Sequence, residues 1–68
     1  MAYQTYQALL ARQDSIARIR QAQRDIERVG GRVIFEPPAQ SGMVVVILTL
    51  PDPYHPGNFF PELPFYPA

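Results

Sequence analysis

The lone histidine of the chain, His55, sits between Asp52 and Glu62, and these three side chains are the best candidates for chemistry. A carboxylate, an imidazole and a second carboxylate could in principle hold a metal ion. The prolines interleaved with them, at 53, 56 and 61, suit a turn better than a coordination shell. With no second histidine there is no two-histidine metal motif either. Ser15 and Ser41 lack the surroundings of a nucleophile, and Ser41-Gly42 reads as turn chemistry. Gly30-Gly31 follows a helical pattern and precedes a strand pattern, the reverse of the strand, glycine loop and helix order that cradles phosphate. It is a helix stop. The sequence therefore predicts no catalytic residue, no metal and no cofactor, and points away from an enzyme.

Recognition is a better use of these residues. All six basic residues are arginines, and Arg20, Arg24 and Arg28 fall at i, i+4 spacing as a stripe on one helix. Six arginines against three acids leave the part before Val33 at +3, and three acids leave the remainder at −3. A formal charge of zero, no lysine and aromatics placed away from the basic helix argue against nucleic acid as the partner. Arginine pairs bidentately with carboxylates and is favoured at protein interfaces. Residues 51–68 hold six of the eight prolines and five of the eight aromatics. Proline removes a backbone donor, so this segment is expected in neither a helix interior nor a central strand. It is also too aromatic for a solvated disordered tail. The composition predicts a stiff extended arm whose Tyr54, Phe59, Phe60, Phe65 and Tyr66 anchor it on a protein surface, with Arg20, Arg24 and Arg28 as further contacts. Pro61-Glu-Leu-Pro64 and Pro64-Phe-Tyr-Pro67 have PxxP spacing without the usual arginine.

The chain has 68 residues and no cysteine, so neither disulfides nor thiolate–metal sites can staple it. A domain of this size buries only about 60% of its unfolded surface and is marginal without help. The longest apolar run, residues 43–50, is far shorter than the ~20 residues of a membrane helix. No signal-peptide pattern is visible, and the expected setting is cytoplasmic.

Residues 3–29 contain neither glycine nor proline and are rich in good helix formers. From Ser15 the pattern is amphipathic, with Ile19, Ala22, Ile26 and Val29 on one face. Asp14–Arg18 and Asp25–Arg28 lie at helical neighbour spacing. Tyr3, Tyr6, Leu9 and Leu10 fall off this register. One long helix whose halves face different neighbours is the favoured reading, and a break near Gln13–Asp14 the alternative. Arg32–Glu36 then reads as a strand, residues 37–42 as a turn, and residues 43–50 as a strand apolar on both faces. The fold predicted is α+β: a long N-terminal amphipathic helix, a β-hairpin and an extended Pro/aromatic C-terminal arm. Residues 1–50 form the small α-β-β domain and residues 51–68 the binding tail. One helix cannot cover both faces of a hairpin, so the chain's own tail, a second copy or a different protein must complete it.

The stretch from Ile19 through Gly30-Gly31 to Phe35 resembles the corresponding segment of the small linker polypeptides of cyanobacterial phycobilisomes, as does the chain length. The resemblance implies a non-catalytic plug inside a ring of antenna subunits, contacting them through arginines and apolar side chains. Those linkers usually open with a strand, are basic overall and lack the Pro/aromatic tail. The function expected is that of a non-catalytic interaction or assembly protein. Two rivals are a ribosomally made precursor, with a leader over residues 1–50 and a processed C-terminal core, and a propeptide-like protease inhibitor.

Overall fold

In the computed structural model, which describes residues 2–36 and 42–68, strand β1 (Tyr3–Ala11) leads into helix α1 (Arg12–Arg28) and strand β2 (Arg32–Glu36). Strand β3 (Met43–Pro51), a 3-10 turn at Pro56–Asn58 and the short strand β4 (Tyr66–Pro67) complete the chain. The strands form one sheet in the order β2-β3-β1-β4, with every neighbouring pair antiparallel. Since β1 and β2 both run against β3, they are parallel to each other with β3 between them. This is a split β-α-β unit, and the strand order is that of a ferredoxin-like sheet. In place of the second helix of that plan stands the proline-rich segment before β4.

The α+β class and the β2–β3 hairpin agree with the sequence reading, but the N-terminal helix does not. Residues 3–11 are a strand. Alanine, glutamine and leucine favour helix, yet every residue from Tyr3 to Ala11 pairs with β3, Tyr3 opposite Pro51 and Ala11 opposite Met43. The apolar β3 needs a neighbour on each side, and that pairing outweighs local propensity. The helix begins at Arg12, just ahead of the amphipathic register that starts at Ser15. Its N-cap, Ala11, supplies no side-chain bond. Its end is a Schellman motif: Gly30 N–H donates to Glu27 O at 3.0 Å and Gly31 N–H to Ile26 O at 2.8 Å. Gly30 has φ +95°, the left-handed region that glycine enters freely. Of the turn expected over residues 37–42, all but Gly42 lies outside the described residues, Ser41 included.

One face of the sheet and α1 enclose the core. Ile19, Ala22 and Ile26 of the helix meet Ala8 and Leu10 of β1 and Val44, Val46, Leu48 and Leu50 of β3. Ser15 is buried with them. The tail supplies the largest fully buried side chain, Phe60, which is 1% exposed. The expected extended arm is therefore corrected. Residues 51–68 fold back, with Phe59, Leu63 and Phe65 packed against the same core. The physical reason is the uncovered helix-side surface beside β1: one helix cannot span a four-stranded sheet, and the nearest apolar groups are the chain's own aromatics. Asp52 N–H donates to Ala2 O at 3.0 Å and Ala68 N–H to Thr5 O at 2.8 Å, fixing both ends of the segment to the start of β1 and its neighbour Ala2.

Candidate functional site

The residues that might hold a metal are laid out by the turns of the tail. His55 N–H donates to Asn58 Oδ1 at 2.9 Å, and Asn58 N–H to His55 O at 2.9 Å, closing the 3-10 turn. Glu62 is engaged elsewhere, accepting from Arg18 Nε at 2.8 Å. Among the described residues no group of three or more His, Asp or Glu is gathered about a common point. Gly31 is packed too tightly to cradle a ligand: a Cβ there would lie 2.8 Å from both Ile26 Cγ2 and Thr49 O.

The eight residues predicted to bind a partner are not brought together. Phe60 is a core residue and cannot anchor the domain to anything else. Phe59 and Phe65 are half-buried, their rings 6.4 and 5.7 Å from that of Phe60. Tyr54 and Tyr66 stay exposed, Tyr66 at 65%. The arginine stripe lies on the outer side of α1. Arg20 places its guanidinium 5.6 Å from the Phe35 ring centroid, Arg28 pairs loosely with Asp25 at 3.5 Å, and Arg24 is exposed. Arg18, expected opposite Asp14 on the helix, instead reaches the tail.

What the structure does assemble is the other face of the sheet. Side chains alternate along a strand, so the residues between the core positions share that face. The register sets them in rows. Leu9 lies beside Val45, and Val45 beside Glu36. In the next row Tyr66, Gln7, Ile47 and Ile34 follow one another across all four strands. In the third, Thr5, Thr49 and Arg32 align, with the two threonine hydroxyls 3.4 Å apart. Leu9 is 52% exposed and Ile34 45%. Nothing in the described chain covers them. The expectation that β3 is buried on both faces is thus met on one only: Val44, Val46, Leu48 and Leu50 are buried, while Met43, Val45, Ile47 and Thr49 are screened only by their neighbours.

Leu9 and Ile34 are not among the side chains that the sequence marks for binding; for Leu9 the reason is that the composition of residues 3–11 favours helix. The signal was available in Tyr6, Ala8 and Leu10, whose period of two sets Leu9 on the opposite face. Comparison of the chain with protein-family models, with curated proteins and with solved structures returns no match.

Proposed function

We propose that this is a non-catalytic interaction protein that docks on a larger protein assembly through the open face of its sheet. The observation that carries the reading is the contiguous, uncovered row system of Leu9, Val45, Ile47, Ile34 and Tyr66. Exposed apolar patches with polar rims mark interaction sites, and here Thr5, Thr49, Arg32 and Glu36 supply the rim. Tyrosine at the margin suits an interface, since it offers apolar area and a hydroxyl together. A linker-type subunit of a light-harvesting antenna is one setting for such a protein. The opening strand β1 removes one of the differences from those linkers.

Leu9→Lys and Tyr66→Ser test the reading. Both positions are exposed, so the melting temperature is expected to hold while capture of the partner from native extract is lost. Arg24→Glu, on the outer side of α1, is expected to leave capture intact. Equal capture by all three variants would overturn the reading.

A second reading, a protease inhibitor of propeptide type, is favoured by one observation: the four-stranded sheet, where the hairpin expected from sequence had too few strands. A subtilase inhibition assay decides it. The precursor reading would place its boundary inside a folded unit, since the tail contributes Phe60 to the core.

A further inference from the structure

The two edges of the sheet are built differently. On one side β4 is two residues long, and one of the two is Pro67, which has no N–H to offer. On the other side β2 runs for five residues, in unbroken register with β3 and without proline. Its outer backbone groups have no partner among the described residues. An edge of this kind is a template for another strand.

The sequence of that edge is self-complementary. Read in opposite directions, Arg32-Val33-Ile34-Phe35-Glu36 sets Arg32 against Glu36, Val33 against Phe35 and Ile34 against itself. Charged residues of one sign would repel a second copy. Here the signs are opposite and equidistant from Ile34, so a two-fold axis through Ile34 turns both ends into attractive pairs. Arg32, Ile34 and Glu36 also share the open face, so the pairs are formed on one side of the sheet, and all three are exposed.

We propose that two copies of this chain associate through antiparallel β2–β2 pairing centred on Ile34. The result is a continuous eight-stranded sheet with both helices on one face and both apolar patches on the other. Antiparallel backbone groups bond in alternation. Whichever residues of β2 aim their N–H and C=O outward, those of 32, 34 and 36 or those of 33 and 35, this register pairs every one of them. An isologous contact of this kind closes on itself and stops at two copies. Opposite charges directly across a strand pair add to it, and like charges subtract. The interface is small, so the association is of the weak, concentration-dependent class. It goes beyond the docking role of the open face and does not depend on it, since that face remains free in the dimer.

Charge exchange and crosslinking test the register. By sedimentation equilibrium the protein is expected to dimerise with rising concentration. R32E, which sets two acids against each other at both ends, is expected to weaken the dimer at least tenfold. R32E/E36R restores opposite charges in the same register and is expected to recover it. Circular dichroism confirms that each variant is folded. The chain has no cysteine, so Ile34→Cys introduces one thiol per copy. Directly paired strand residues lie about 4.5–5.5 Å apart, within disulfide reach, and oxidation is expected to give a covalent dimer. Leu9→Cys, two strands inward from the edge, is expected to give none. The crosslink serves equally if R32E does not fold. A protein monomeric at every concentration, a dimer indifferent to R32E, or crosslinking at Leu9 as ready as at Ile34 would each overturn the proposal.

Discussion

Arg18 holds the tail of this protein to its helix. Its guanidinium lies 5.2 Å from the centroid of the buried Phe60 ring. The same group donates from Nε to Glu62 at 2.8 Å and from Nη2 to the Phe59 carbonyl at 3.0 Å. Three residues of the tail are thus gripped by one side chain on α1. The planar fork of arginine makes this possible, and lysine could not reproduce it.

Arg18→Ala is expected to lower stability by about 1–2 kcal/mol, from a charged hydrogen bond to a part-buried carbonyl and a cation–π contact. Glu62→Gln should cost well under ~1 kcal/mol, because that pair is solvent-screened, with the two side chains 38% and 51% exposed. Arg18→Lys should recover only part of the loss. Urea denaturation of the three variants separates these cases. Equal losses for Glu62→Gln and Arg18→Ala would assign the whole effect to the ion pair.

Phe60→Ala removes the largest fully buried side chain and is expected to cost about 3–5 kcal/mol. In a domain this small that approaches the whole stability. Truncation at Pro51 is therefore expected to abolish the cooperative thermal transition. An extended arm would instead allow truncation to leave helix content nearly unchanged. Far-UV circular dichroism of residues 1–51 distinguishes the two outcomes.

Gly31→Ala is expected to destabilise by about 1–3 kcal/mol. The new methyl would meet Ile26 Cγ2 and Thr49 O at 2.8 Å and Leu50 Cδ2 at 3.0 Å, and a packed core yields to overfilling only with strain. Gly31 does not have the positive φ that Gly30 and Gly42 have. The effect is steric contact between the helix end and β3, and a thermal melt beside Gly30→Ala, where the nearest contact is an ordinary 3.9 Å, shows the difference in cause.

The parts of this fold legible in sequence are those where local pattern and tertiary demand agree. The Ile19, Ala22, Ile26 face, the stop at Gly30 and the two strands of the hairpin all belong to that class. The composition of residues 3–11 favours helix, and only the long-range need of β3 for a second neighbour makes them a strand. The tail departs from its expected course for a related reason. Proline excluded a helix and a central strand correctly, but composition cannot tell which surface an aromatic segment will cover, and the chain's own sheet was nearest. The need for extra cover on the hairpin is visible in the sequence, with the chain's own tail among the candidates; that β1 pairs with β3 is not.

The pairing of β4 with β1 is slight in length yet protects a long strand. Tyr66 and Pro67 lie opposite Gln7 and Tyr6, and Ala68 N–H donates to Thr5 O at 2.8 Å. Ending the chain after Phe65 keeps Phe60 and Phe65 in place and removes only this cover. The fold is expected to persist with a modestly lower melting temperature, since few backbone bonds are lost. Solubility is expected to fall more sharply. An uncovered β1 presents unpaired backbone groups beside the exposed Leu9, and a net charge of zero supplies no repulsion between molecules. Light scattering and thioflavin binding over time measure the effect. Adding Thr5→Lys to the shortened chain should restore solubility, because a lysine on an edge strand opposes edge-to-edge pairing. A shortened chain that stays as soluble as its parent would show that β4 guards nothing, and that the tail ends its structural work at Phe65.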